Sequence, residues 1–319
     1  YETSSGVYVD VTAFPSYGKL SGNTLGSLQA GARVDVREEK RRPADFALWV
    51  KAPKEHLMQW DSPWGRGYPG WHIECTAMSM QLLGDTIDVH TGGVDNIFPH
   101  HENEIVQSDG AAGHPVVRVW AHNEFLELAE GKMSKSEGDV LTLRDVQARG
   151  TDPLAFRLLC LQTHYRSKLR FSWESLLAAA MTLQSVREFV RRLREAMDRA
   201  ASREGTPELT ERLARLEDAV RESLADDLGS PQALAAFFDF MREVNPQVQA
   251  GTLGREDLEA ARATFRKLDT VFAFLDVDAP LLSPDVSFDV RQLVAEREDA
   301  RRRQDFSTAD LLREEIRKK

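Results

Sequence analysis

The spacing of apolar residues changes character at Gly150, and that change limits the folds open to this chain more than any other feature. Beyond it, four long segments place apolar residues at steps of three and four. The first runs through Leu176, Ala180, Leu183, Val186, Val190, Leu193 and Met197, and the second through Leu209, Leu213, Leu216, Val220 and Leu224. Leu234, Phe237, Phe238, Met241 and Val244 mark the third, and Leu258, Ala261, Phe265, Leu268 and Phe274 the fourth. Such steps keep one helical face apolar, so an antiparallel bundle with short loops is expected. Asp152-Pro153 opens an earlier helix with proline in its first turn, and Leu154, Leu158, Leu159 and Leu161 are expected to face inward. Residues 276–284 read as a linker, and 290–319 as one or two highly charged helices.

Before Gly150 the order is strand, glycine turn and helix. Met78, Leu82 and Leu83, with Gly84 as a stop, predict a helix over residues 74–83. Residues 86–90 read as a short buried strand, and Gly92-Gly93 turns the chain into a helix carrying His100 to Val106. Residues 116–120 and 125–128 are expected to continue the sheet. This is the order of a doubly wound α/β sheet, whose ligands sit at the carboxyl ends of the strands. Further upstream, residues 7–11 alternate like a strand, 15–22 read as turns, and 25–36 allow a short helix and a strand. Residues 1–42 are therefore expected to form an edge piece without a core of its own. Four tryptophans between positions 49 and 71, with proline and glycine among them, predict an ordered aromatic loop that plugs a core or walls a pocket.

Composition excludes several classes. No apolar run approaches the roughly 20 residues of a membrane span, and the N-terminus lacks the basic-then-apolar order of a signal peptide. Cys75 and Cys160 are too few for a disulfide framework. A cytoplasmic location and a monomeric chain are expected. A net charge of -10 argues against nucleic-acid binding through the overall field but leaves local basic faces. Arg187, Arg191, Arg192 and Arg194 form one such face, and Arg297, Arg301, Arg302 and Arg303 another; interleaved acids make a solvated face the competing reading.

Reactive groups concentrate between Trp71 and Glu104. His100 and Glu104, four apart, share a helical face, and a strand-turn hop brings Cys75 beside them. Thiolate, imidazole and carboxylate are all zinc ligands, although zinc prefers four. Core packing is the competing reading for each residue taken alone. His101 and Glu102 are either supporting groups or surface residues. Downstream, Lys132-Met133-Ser134-Lys135-Ser136-Glu137-Gly138 makes a loop that places two positive charges and several donors on a polyphosphate, unless it is merely solvated surface.

The string Lys132 to Ser136 is the Lys-Met-Ser-Lys-Ser signature of class I aminoacyl-tRNA synthetases, and the whole chain resembles the cysteinyl-tRNA synthetase family. The resemblance rests on Tyr17-Gly18-Lys19-Leu20-Ser21-Gly22, Asp45-Phe46-Ala47-Leu48-Trp49 and Trp60-Asp61-Ser62-Pro63-Trp64-Gly65. Gly70-Trp71-His72-Ile73-Glu74-Cys75, Phe98-Pro99-His100-His101-Glu102-Asn103-Glu104 and Thr163-His164-Tyr165-Arg166-Ser167 complete it. It implies an α/β fold followed by an all-α part: the C-terminal half of a class I Rossmann-like catalytic domain plus a helical bundle. The implied divisions are a remnant of a connective insertion at 1–45, the catalytic half with zinc site and lysine loop at 46–150, a linker helix and anticodon-side bundle at 151–275, and charged helices at 285–319.

The implied activity is ATP-dependent activation of L-cysteine, with magnesium accompanying ATP, and transfer to tRNA(Cys). Family zinc is held by two cysteines, a histidine and a glutamate; Cys75, His100 and Glu104 match three of these. That zinc also takes the substrate thiolate, which a serine hydroxyl cannot imitate. Trp71 matches the wall of the amino-acid pocket, His90 faces it, and Gly92, Gly93 and Asp95 match the nucleotide-facing turn, with Asp95 on the ribose. Lys132 and Lys135 are the implied catalytic lysines, and Ser134, Lys135 and Ser136 the triphosphate contacts. Glu137-Gly138-Asp139 departs from the usual Leu-Gly-Asn and places carboxylates beside those lysines, while Thr91 and Asn96 replace a commoner Gly and Leu. The family's His-Ile-Gly-His half-sheet and first zinc cysteine have no match here, so this polypeptide alone is expected not to form the adenylate. A truncated paralogue that binds tRNA, and the related ligase joining cysteine to an amino sugar, are the competing readings.

Overall fold

The structure, a computed structural model, describes the backbone of residues 1–24, 26, 39–128, 141–200, 205–278, 288–303 and 305–318, and their side chains except at 288–292, 295, 317 and 318. The chain forms two compact units, Tyr1–Leu141 with Thr163–Ser172, and Thr142–Gln162 with Trp173–Lys319. Among the described residues no helix is long and apolar enough to cross a membrane. The expected elements at residues 25–36 fall almost wholly outside the described residues.

In the first unit, β1 (Gly6–Val9), β2 (Phe46–Lys51) and β3 (Gly67–Pro69) form an antiparallel sheet in that order. Part of the expected aromatic loop is thus regular. Phe46-Ala47-Leu48-Trp49-Val50 is a β-prone run with a partner on each side, and strand pairing overrides the nearby Pro and Gly. Trp60 and Trp64 stay half exposed. Val11, Tyr17, Ala44, Phe46, Phe98 and Val106 make one cluster, so Val11 and Tyr17 share a core with β2 and with the helix that carries Val106.

Helix α1 (Trp71–Leu83) begins three residues before the expected start, because extended Gly70 serves as its N-cap. Its Met78, Leu82 and Leu83 point outward, contrary to the periodicity reading. Thr76 is the buried residue instead, donating to Gln107 Oε1 at 2.9 Å on α2 (Glu102–Ala112). Strands β4 (Ile87–Gly93) and β5 (Val117–Asn123) pair in parallel, with His90 opposite Trp120 and Gly92 opposite His122. The expected buried strand is buried only at Ile87, while Val89 and Val119 are 55% and 52% exposed, so this pair presents an apolar face. Residues 125–128 do not extend that sheet: β6 (Leu126–Leu128) pairs in parallel with β7 (Leu169–Phe171) in a separate one. The Leu169 amide bonds to the Phe125 carbonyl and the Glu124 amide to that of Tyr165, which holds this second pairing.

The second unit is helical throughout its described residues. Helix α3 (Leu143–Ala148) has a capping box from Thr142 and Asp145, and α4 (Pro153–Leu161) is capped by Asp152, whose carboxylate accepts the Leu154 amide at 2.8 Å. The four amphipathic segments are α5 (Trp173–Arg199), α6 (Pro207–Ala225), α7 (Ser230–Ala250) and α8 (Arg255–Phe272). Helix α6 packs on α7 and α8, and α5 on the same two. Two buried positions differ from the reading by small steps: Ala179 replaces Ala180 and Phe240 replaces Phe238 on the inward faces. A buried aromatic group of Phe189, Phe237, Phe240, Phe265 and Phe272 fills the centre. The charged segment is two helices, α9 (Phe288–Arg302) and α10 (Phe306–Lys318), packed together.

Candidate metal centre

Three elements converge on one cluster of side chains. Helix α1 supplies Trp71 and His72 in its first turn and Cys75 one turn on. A wide turn over Ile97–His101 presents His100 and His101 just before α2, whose first turn carries Glu104. Strands β4 and β5 bring His90, Trp120 and His122 alongside, because parallel register sets residues of equal phase on one face.

Ligand atoms of Cys75, His100 and Glu104 lie within 4.8 Å of one another, and His100 and Glu104 are buried. His100 Nε2 stands 2.7 Å from Glu104 Oε1, yet the contact lacks hydrogen-bond geometry and leaves that buried oxygen without a hydrogen-bond partner. His100 Nδ1 meets His72 Nδ1 at 2.8 Å, so one proton serves both nitrogens. Burial, with His100 beside it, lowers the His72 pKa to about 4. Burial pushes the Cys75 thiol up, and the Glu104 and Glu74 carboxylates push the same way. A thiol, an imidazole and an orphaned carboxylate oxygen in one place are what a soft divalent cation would reorganise, so this donor set fits zinc.

His101 and Glu102 are not surface residues: both are buried. Glu102 accepts the Gly18 amide at 2.9 Å on one oxygen and those of Leu20 and Ser21 at 3.2 and 2.8 Å on the other. With the Tyr17 hydroxyl donating to Asn103 Oδ1 at 2.9 Å, this clamps the 17–22 turn onto α2. His101 Nδ1 lies 2.8 Å from His122 Nε2, and burial followed by the neighbouring imidazoles lowers the His101 pKa to about 3.

The other expected positions divide plainly. Trp71 stacks on His100 with centroids 4.2 Å apart and remains 61% exposed, so one face is open to form a wall. His90 Nε2 is 3.6 Å from Glu104 Oε2, and the His90 ring packs against Trp120. Gly92, Gly93 and Asp95 share one turn at the carboxyl end of β4. A Cβ on Gly92 would meet His101 Cε1 at 2.5 Å, and one on Gly93 would meet Asp95 Oδ1 at 2.4 Å, so both glycines make room for neighbouring side chains. Lys132, Ser134, Lys135 and Ser136 lie outside the described residues. Trp120 and His122 are members of the cluster that sequence reasoning did not assign; their strand alternation was the available signal.

The arginine faces of the helical unit are largely neutralised from within. Arg187 pairs with Asp152 and Asp276, Arg191 with Glu188 and Glu195, and Arg192 with Glu188 and Asn245. Arg297 and Arg301 lie near Glu298, and Arg302 and Arg303 near Asp299. A groove of about 1170 Å³ between α5, α7, α9 and α10 is lined by Arg191, Arg192, Arg199 and Arg301 among others, and by Glu195 and Glu298. These pairings support the solvated-face reading.

A half α/β sheet with its reactive groups at strand ends and helix starts, carried in one chain with a helical bundle, is the arrangement of class I aminoacyl-tRNA synthetases. The family model described as "tRNA synthetases class I (C) catalytic domain" matches residues 1–181, and that of the DALR domain matches residues 219–276. The chain belongs to the cysteine–tRNA ligase family. It is 44% identical to the cysteine–tRNA ligase of Chlorobium luteolum, over 99% of this chain and 66% of that protein. The Thermus thermophilus enzyme gives the same identity and coverages, and that of Pelotomaculum thermopropionicum is 42% identical over 98% of this chain and 68% of its own length. The chain thus spans about two thirds of the length of these relatives. In fold it resembles a LeuRS from Agrobacterium radiobacter K84, solved in a ternary complex with tRNA and LeuAMS, with a TM-score of 0.54 at 16% identity over 70% of this chain and 34% of that one.

Proposed function

We propose that this chain supplies the cysteine-selecting zinc site and one side of the ATP site of a cysteine–tRNA ligase, which activates L-cysteine with ATP and magnesium and transfers it to tRNA(Cys). The observation that carries the reading is the convergence of Cys75, His100 and Glu104 around a buried carboxylate oxygen that has no hydrogen-bond partner. When bound, zinc supplies a soft acceptor that distinguishes a thiolate from a hydroxyl. Cys75, His100 and Glu104 would hold it, His72 orients the His100 ring, and Trp71 walls the amino-acid side. Asp95, exposed at the carboxyl end of β4, is placed to accept ribose hydroxyls, and His90 lines the same end. Lys132 and Lys135, with Ser134 and Ser136, bind and neutralise the triphosphate as charge develops on the leaving pyrophosphate.

In this reading the polypeptide by itself does not form the adenylate. What supports that is the β4–β5 pair, which exposes Val89 and Val119 as a face that catalytic-domain sheets bury. The division into 1–45, 46–150, 151–275 and 285–319 belongs to the same proposal, as does a cytoplasmic monomer.

The test is calorimetric titration of the zinc-loaded chain with L-cysteine and L-serine. L-cysteine is expected to bind at least about 100-fold more tightly, since the discrimination is between a metal-competent thiol and a hydroxyl. Cys75→Ala is expected to remove the preference. Equal binding of the two amino acids would contradict the proposal.

A further inference from the structure

The connection between β2 and β3, residues 52–66, contributes no ligand to the metal centre, yet it carries the most exposed apolar side chains of the first unit. Leu57, Met58, Trp60 and Trp64 are all exposed, Leu57 almost wholly, and Lys54 and Arg66 are exposed on either side of them. Large apolar groups gathered on a protein surface mark a place where something binds. The connection is also held in one shape. Trp60 and Gly67 exchange amide-to-carbonyl bonds of 2.7 and 2.9 Å. The Ser62 hydroxyl and the Trp49 ring nitrogen both donate to the Gly65 carbonyl, at 2.6 and 3.3 Å, and His56 stacks on Tyr68 with centroids 4.2 Å apart. A loop fixed in this way loses little freedom when a ligand arrives.

Strand β3 and Gly70 join this loop directly to Trp71, the wall of the amino-acid side. Gly67 and Trp71 are therefore at most about 13 Å apart, at about 3.3 Å per extended residue. That is the length of roughly four stacked nucleotides at about 3.4 Å each. An RNA whose 3′ end accepts an amino acid beside Trp71 thus has its last unpaired nucleotides within reach of the loop. We propose that Trp60 and Trp64 are the stacking platform for the unpaired cytosines that precede the 3′-terminal adenosine of tRNA. Every base has a π-face, so aromatic side chains hold single strands by stacking. Lys54 and Arg66 meet the phosphates, but Glu55 and Asp61, exposed in the same loop, equal them in number. Stacking and not the field carries the affinity, so its salt dependence is expected to be shallow.

This inference rests on the transfer step of the reading above, and its test separates the two. An RNA hairpin ending in single-stranded CCA carries pyrrolocytosine at the penultimate position, where its fluorescence falls on stacking. The chain is expected to quench it, and to bind this hairpin about tenfold or more tightly than one lacking CCA. Trp60→Ala combined with Trp64→Ala should abolish both the quenching and the preference, with circular dichroism reporting that the variant is folded. Trp60→Phe combined with Trp64→Phe keeps an aromatic face at each position and should retain both. Equal binding of the two hairpins by the parent chain, or quenching that survives the alanine pair, would overturn the platform. If the parent chain still prefers L-cysteine to L-serine, either of those results leaves the zinc site and its selection of cysteine standing.

Discussion

His100 and Glu104 face each other across one helical turn, with Nε2 2.7 Å from Oε1, both side chains buried, and no hydrogen bond formed between these atoms. A buried carboxylate oxygen in that state is stabilised by a cation and costs free energy without one. Glu104→Gln removes the charge while keeping the shape. Zinc affinity, measured by chelator competition, is expected to fall about 100-fold or more. The metal-free variant should be at least as stable to urea as the metal-free parent, because a destabilising buried charge is gone. An unchanged zinc affinity would contradict the ligand role.

Glu102, two residues before Glu104, does a different job. Its three amide contacts are charge-assisted and shielded from water, so Glu102→Ala leaves buried donors of the 17–22 turn unpaired. A loss of about 3 kcal/mol is expected in urea unfolding of this unit. Hydrogen exchange should localise it, with the amides of Gly18, Leu20 and Ser21 losing protection first. Unchanged protection there would show that Glu102 does not hold the turn.

Phe265 is fully buried in the helical unit, with its ring 5.4 to 5.9 Å from those of Phe189, Phe237 and Phe240. Phe265→Ala opens a cavity that three aromatic neighbours cannot readily close, so a destabilisation of about 3–5 kcal/mol is expected. Circular dichroism during denaturation reads it. A cost below about 1 kcal/mol would mean that the aromatic group is not the centre of this core.

Asp278 accepts from Arg266 Nε at 2.6 Å and from Arg262 Nε at 3.1 Å, and these guanidinium bonds, Arg266 first, hold its pKa down at about 2 against an ordinary 3.8. The folded carboxylate is therefore the stronger acid. The pair contributes stability above about pH 4 and loses it as pH falls toward 2. Because the groups are half exposed, the contribution is at most about 1 kcal/mol. Asp278→Asn is expected to be less stable than the parent at neutral pH and equal to it near pH 2. A constant difference across that window would contradict the assignment.

How far the sequence disclosed these features depends on the range of the interaction behind each. The helical bundle was legible at Leu183, Val186, Leu213 and Phe265, since a step of three or four is a local property of one helix. Cys75, His100 and Glu104 were legible because their chemistry is distinctive and two of them share a helical turn. Trp120 and His122 were not assigned because they join the cluster through the register of β4 on β5, which spacing along the chain does not encode. The stripe of Met78, Leu82 and Leu83 was misread for a related reason: periodicity shows that a face is apolar but not what covers it.

X-ray absorption at the zinc edge tests the account most directly, because it counts sulfur at the metal. The zinc-loaded chain is predicted to show one sulfur at about 2.3 Å with nitrogen and oxygen at about 2.0–2.1 Å. L-cysteine should raise the sulfur count to two and L-serine should leave it at one. A first shell of nitrogen and oxygen alone, unchanged by L-cysteine, would contradict the assignment of Cys75, His100 and Glu104 as the cysteine-sensing centre.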